Sequence, residues 1–196
     1  LFLLTTYTQK KSKNTFRKKP YLLNLFFIGY LFGIGFFLTG INWISHSLTF
    51  DEKFKLLIPL VIIGLPIFLG LFFGFANLIV GPFLQNNFTS ILLFSSSYAF
   101  ADYFRANILS GFPWNLWAYT WSWKPEILQP LFHLGFFSFN LLCIIIYCSP
   151  LLLFFKKKFN YILLFLISLV FFGNYIYGSS IIKKNNKNLI DLKLNE

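Results

Sequence analysis

Asp102 and Arg105 stand three residues apart, which places both on one face of a helix, and Gly111-Phe112-Pro113-Trp114 follows shortly after. An isolated charge at mid-bilayer costs about 2.5 to 3.5 kcal/mol on insertion scales, and less near the interface, so a pair is the economical arrangement. Two readings of this pair stay open. It is a structural ion pair or an arginine snorkelling to headgroups, or it orients the loop that follows. Pro113 fixes its own φ and pushes Phe112 out of the helical region, while Gly111 permits a turn that other residues resist. A pinned Trp114 beside Arg105 is better suited to shaping a lipid pocket than a freely rotating indole. Trp117, Trp121 and Trp123 read instead as belt residues, apolar bodies with one N–H donor at headgroup level.

Other reactive residue types carry less. Cys143 and Cys148 are five apart, roughly 140° around a helix, so they do not pair in regular geometry. No histidine or acid lies near them to make a metal site, and a thiol in lipid is inert. His46 and His133 are lone histidines that read as hydrogen-bonded interface or packing residues rather than catalytic ones. No phosphate loop, nucleophile elbow or zinc spacing occurs, so neither cofactor nor metal is implied. Gly29/Gly33 and Gly70/Gly74 each form a GxxxG, which brings helices close together. That is assembly, not chemistry.

The elements that must position these residues are membrane helices. The 196 residues are 57% hydrophobic, 22% aromatic and 12% charged, against roughly 25% charged for soluble chains. The net charge of +11 sits in short clusters between apolar runs and forms no basic helical face, which argues against nucleic acid. No acid, Lys or Arg occurs from Pro20 to Phe50, Leu56 to Ala101, Ile127 to Phe155 or Phe159 to Ile182. At roughly 20 residues per crossing, and with a break at Gly81–Asn87 where Gly-Pro ends a helix, five spans are expected. They lie near 24–45, 56–80, 88–108, 127–154 and 159–178. The fold class is all-α, a polytopic transmembrane helical bundle.

Positive charge gives the orientation. With Lys10, Lys11, Lys13, Arg17, Lys18 and Lys19 cytoplasmic, Lys156, Lys157 and Lys158 fall on the same side, nine in all. The opposite loops carry four: Lys53, Lys55, Arg105 and Lys124. The Gly111–Trp123 loop and the tail are then outside the cytoplasm. Both ends read as cut. The chain has no Met and begins at Leu1, so residues 1–20 are expected to be the remnant of an upstream span plus a basic loop. Residues 21–178 are the membrane domain, and 179–196 a linker toward something further.

Three stretches carry a family resemblance: "FGIGFFLTGINWIS" (Phe32–Ser45), "YAFADYFRANILSGFPWNLWAYTW" (Tyr98–Trp121) and "LQPLFHLGFFSFN", in that order. Together they resemble the membrane domain of bacterial apolipoprotein N-acyltransferases over roughly residues 25–180. Asp102 stands where a Glu is usual and Ser110 where a Thr is common; both swaps keep the chemistry. The resemblance implies a helical base in the bacterial inner membrane, with the Gly111–Trp123 loop and the tail periplasmic. It also implies a nitrilase-like domain with a Glu-Lys-Cys triad that moves a phospholipid acyl chain, through a thioester, to the diacylglyceryl-cysteine amine of a lipoprotein. No catalytic residue is assigned within these 196 residues, and Cys143 and Cys148 do not fill the role. Gly111, Phe112, Pro113 and Trp114 are the expected lipid and substrate contacts, with Asp102 and Arg105 as the loop-orienting pair. The rival readings are a noncatalytic membrane scaffold and, with less support, a small transporter. The latter needs several facing polar groups at mid-membrane depth, where this sequence offers one pair near an edge.

Overall fold

The computed structural model describes residues 1–15, 20–108, 111–155 and 158–194. Arg17, Lys18 and Lys19 of the basic cluster, Ser110, Lys156 and Lys157 lie outside them. The described residues are helical with no strand: α1 (Phe2–Thr15), α2 (Pro20–Gly40), α3 (Ile44–Ser47), α4 (Ile58–Val80), α5 (Phe88–Asn107), α6 (Pro125–Leu128), α7 (Leu131–Leu134), α8 (Phe136–Cys148) and α9 (Lys158–Leu194). Among the described residues, four stretches are long and apolar enough to cross a bilayer: Tyr21–Gly40, Glu52–Phe83, Phe136–Phe155 and Lys158–Asn188. This is one fewer than the five expected.

The missing one is the third. Its helix, α5, is present but carries Ser90, Ser95, Asp102 and Arg105, all buried, so the residues that lower its hydropathy are those the fold turns inward. The fourth expected span also starts later than its apolar run. Gly135, at φ +74, separates the short helices α6 and α7 from α8. The last helix has no break at its polar end, and α9 spans 37 residues. At 1.5 Å per residue that is about 55 Å, well beyond the ~30 Å of bilayer hydrocarbon.

The chain divides into two compact units, residues 1–116 and 117–196. In the first, α2 packs against α4 through both glycine pairs. A methyl on Gly33 would lie 2.9 Å from the Gly70 Cα, and one on Gly29 would lie 2.5 Å from the Phe73 carbonyl oxygen. Such backbone contact is open only to residues without a side chain. Buried Asn77 of α4 fastens the same seam, donating to the Leu25 carbonyl at 2.6 Å and accepting from the Thr5 hydroxyl at 3.1 Å. At the Gly81–Asn87 break, a 3₁₀ turn (Gly81–Phe83) ends α4. The Asn87 side chain then caps α5, accepting from the Ser90 N–H at 2.8 Å, the usual role of an amide at this position.

In the second unit, two asparagines from long helices hold the 117–128 segment. Asn140 Oδ1 accepts the Ala118 N–H at 3.0 Å, and Asn174 Nδ2 donates to the Ile127 carbonyl at 3.1 Å. Trp117 and Trp121 pack here against Ala118, Ile127, Phe139 and Cys143. Trp121 also stacks on Tyr147 with centroids 6.1 Å apart. The belt expectation therefore gives way to packing for these two indoles, and Trp123 is the exposed one.

The seam yields a paired expectation. Gly33→Ala should lower thermal stability in detergent by about 1–3 kcal/mol through overpacking. Gly35→Ala, two residues away with nothing within 4 Å, should be neutral or gain up to about 1 kcal/mol from helix propensity. Equal melting shifts for the two variants would show that α2 and α4 are not in backbone contact.

Candidate functional site

The last turn of α5 builds the site. Ser90, Phe94, Tyr98, Asp102 and Arg105 fall on the buried face of this helix, the 3.6-residue period carrying the charged pair inward. Asp102 and Arg105 meet at 3.0 Å, and neither side chain is exposed to any degree. The arginine therefore does not snorkel. Its Nη1 donates to the Phe112 carbonyl at 2.7 Å and to the Trp114 carbonyl at 2.8 Å. Nη2 donates to Asp102 Oδ1 at 3.0 Å. The guanidinium carbon lies 5.0 Å from the centroid of Phe37 on α2 and 5.9 Å from that of Phe112, within range of cation–π attraction.

Backbone bonds complete the turn. Helix ends leave carbonyls without intrahelical partners, and here the Phe112 N–H donates to the Arg105 carbonyl at 3.2 Å. The Gly111 N–H donates to the Ile108 carbonyl at 2.9 Å. Gly111 adopts φ +72, where a side chain would be strained, and its Cβ would meet the Ala106 carbonyl oxygen at 2.7 Å. The chain thus reverses immediately beyond α5 and returns over the guanidinium. Pro113 and Trp114 are left on the outside of the corner.

Four residues to which the sequence reading gave no role seat this corner. Phe37 covers the guanidinium. Trp43, in the turn after α2, meets Trp114 edge-on with centroids 5.6 Å apart at 77°, and both indoles are about half exposed. Asn115 takes φ +60, a conformation that asparagine tolerates better than most residues. Its amide rests against the bare Cα of Gly40 at the end of α2. Asparagine after tryptophan and glycine before Ile-Asn-Trp were the available signals, but neither names its partner across 75 residues of chain.

Of the other sequence candidates, Cys143, Cys148 and His133 belong to the second unit. Cys143 is buried and Cys148 half-buried on α8, with no bridge between them. His46 is exposed on α3. His133 Nε2 lies 3.2 Å from the Tyr177 hydroxyl in the second unit. Chemically, the cluster offers an edge-on indole pair at a surface and a neutralised buried cation.

The family profile of the apolipoprotein N-acyltransferase N-terminal domain matches residues 15–148, a stretch that contains every residue of the corner. The chain belongs to this family. It is similar to the apolipoprotein N-acyltransferase of Rickettsia prowazekii, 35% identical over 169 residues, covering 85% of this chain and 34% of the relative. The Brucella melitensis apolipoprotein N-acyltransferase is 35% identical over 127 residues, 64% of this chain and 24% of the relative. That of Rhizobium etli is 32% identical over 128 residues, 65% and 24%. The chain therefore spans about a quarter to a third of the length of the curated relatives it matches. Family membership and the apolar helices together make it a multi-pass membrane protein.

The buried pair makes a specific demand on this apolipoprotein N-acyltransferase domain. Removing one partner of a buried ion pair typically costs about 3–5 kcal/mol, because a charge is left uncompensated. Asp102→Asn should show a loss of that size in thermal unfolding, while Asp102→Asn with Arg105→Leu recovers part of it. In the double variant the Gly111–Asn115 segment should nonetheless become the preferred site of limited proteolysis. A double variant no more stable than the single one would show that the pair's charge is not what matters.

Proposed function

We propose that this chain is the membrane base of an apolipoprotein N-acyltransferase, the enzyme class that moves a fatty acyl chain from a phospholipid to the N-terminal diacylglyceryl-cysteine of lipoproteins. The observation that carries the reading is the corner. A backbone reversal is held from below by a buried, neutralised guanidinium, so that Trp114 is presented against Trp43 with little freedom. Acyl transfer at a bilayer surface needs the lipid ester held steady beside the reacting groups, because misplacement by about 1 Å can cost roughly 10²-fold in rate. A rigid indole pair supplies an apolar wall whose N–H groups tolerate the headgroup region.

In this reading the Glu-Lys-Cys chemistry belongs to a nitrilase-like domain outside these 196 residues. The support is that the chain covers 24–34% of the relatives' lengths. The membrane is the bacterial inner membrane, with Gly111–Trp123 and the end of α9 on the periplasmic side. That orientation requires α5 to cross as well. Its 20 residues reach about 30 Å, and its charged groups face inward, away from lipid.

Grafted into a full-length apolipoprotein N-acyltransferase, Trp114→Ala should slow acyl transfer by roughly 10²-fold. Trp123→Ala should leave the rate nearly unchanged, since that indole is exposed and its contacts are with its own turn, the Thr120 carbonyl and the Lys124 ammonium. Equal rates for the two variants at equal membrane levels would remove the role given to Trp114.

A further inference from the structure

The segment between α3 and α4 is apolar where the fold gives it nothing to pack against. Over residues 50–60, Phe50 is 91% exposed, Leu56 88% and Leu60 67%, and Phe54 and Leu57 are exposed as well. Its centre is a 3₁₀ turn, Glu52–Leu57, in which no residue is buried. The turn is nonetheless well made. The Asp51 side chain caps it by accepting the Lys53 N–H at 2.9 Å, and the Phe54 N–H donates to the Asp51 carbonyl at 3.0 Å. Local bonds hold the backbone, and large apolar side chains stand out from it. Contiguous exposed apolar surface of this kind marks a contact with another molecule or with a membrane.

The side chains of the turn are sorted by edge. A 3₁₀ helix repeats every three residues, so positions i and i+3 eclipse. Glu52 and Lys55 share one edge and form an ion pair there. Phe54 and Leu57 share the second edge, and Lys53 and Leu56 the third. Two edges are therefore apolar, with a lysine whose stem can lie along them while its ammonium reaches outward, and the fully charged edge stands opposite. Segments that lie in a membrane interface are sorted in this way. The height agrees. α4 begins at Ile58, and its 23 residues span about 35 Å at 1.5 Å per residue, against the ~30 Å of bilayer hydrocarbon. No acid, Lys or Arg occurs from Leu56 to Ala101, so the last charge before the crossing, Lys55, falls inside the turn. The boundary between headgroups and acyl chains thus runs through Glu52–Leu57 itself.

We propose that this turn is an interfacial foot, lying against the bilayer at the end where α4 enters it, with Phe54, Leu56 and Leu57 at the acyl boundary and the Glu52–Lys55 edge toward water. The partner is the lipid surface and not a protein, because the exposed apolar run continues without a break into the first turns of α4. Leu60 and Ile63 face outward there, on a stretch long and apolar enough to cross the membrane. The inference is independent of the acyl-transfer reading. Its consequence is mechanical: the foot fixes the depth of α4 and, through the seam where Gly33 meets Gly70, that of α2.

The test reads depth by electron paramagnetic resonance, with the 196-residue chain in vesicles of phosphatidylethanolamine and phosphatidylglycerol. Nitroxide labels are attached one at a time to Glu52→Cys, Phe54→Cys, Lys55→Cys, Leu56→Cys and Leu57→Cys. Buried Cys143 stays in place, and Cys148 is replaced by Ser. Because nothing in the turn is buried, labels there leave the packing of the first unit intact. Collisions with dissolved oxygen, which partitions into lipid, should exceed those with a water-soluble nickel chelate at positions 54, 56 and 57. The order should invert at positions 52 and 55. Nickel collisions in excess at every position would put the turn in water and overturn the proposal. Protection from both reagents at positions 54, 56 and 57 would mean that protein covers the turn, which for this chain is a second copy, and would overturn it equally. Oxygen in excess at every position would overturn the assignment of the Glu52–Lys55 edge to water.

Discussion

A permanently charged guanidinium with no exposed surface is the constraint around which the first unit is arranged. Burying an arginine is unfavourable unless its charge is matched and its donors are used. Asp102, one helical turn earlier, supplies the charge. The carbonyls of Phe112 and Trp114 take the two Nη1 bonds, and charge-assisted bonds of this kind are the stronger ones. The rings of Phe37 and Phe112 lie close to the guanidinium. The consequence runs in one direction: because these carbonyls must point inward, the side chains of Pro113 and Trp114 must point outward.

A second requirement is that α2 arrive at the right depth to support the corner. Phe37, Gly40 and Trp43 all belong to the end of α2 or the turn after it, and each touches the corner. Their height is set by the glycine seam with α4, where Gly33 approaches Gly70 backbone to backbone. Small residues do the work that hydrophobic burial does in water, since lipid tails give apolar side chains no reason to leave them. Position along the seam and presentation of the indole pair are thus one problem.

Much of this is legible in the sequence. The apolar runs gave an all-helical membrane chain, and the order of three motifs gave the family. Both glycine pairs were visible as close-packing devices, although not that they pack against each other. The count of crossings was not fully legible. Ser90, Ser95, Asp102 and Arg105 lower the hydropathy of α5 because they are buried, and composition cannot tell an inward polar residue from an outward one. The snorkelling alternative for Arg105 is also open in the sequence, and it fails because Asp102 and two carbonyls further along the chain hold the guanidinium fully buried. Trp117 and Trp121 illustrate the same limit. Their type suits a headgroup belt, yet Asn140 and Asn174 fasten their segment to α8 and α9, and the rings pack inside the second unit.

The chain contains two arginines, Arg17 and Arg105, which makes the central interaction directly observable. In nanodiscs prepared with side-chain ¹⁵N-arginine, the account predicts one guanidinium with separate Nη resonances, slow rotation about its Cζ–Nη bonds and protection from solvent exchange. Those features should vanish when Arg105 is replaced by Lys. Two guanidinium groups that both give a single averaged, rapidly exchanging signal would contradict it, because no arginine would then be holding the corner.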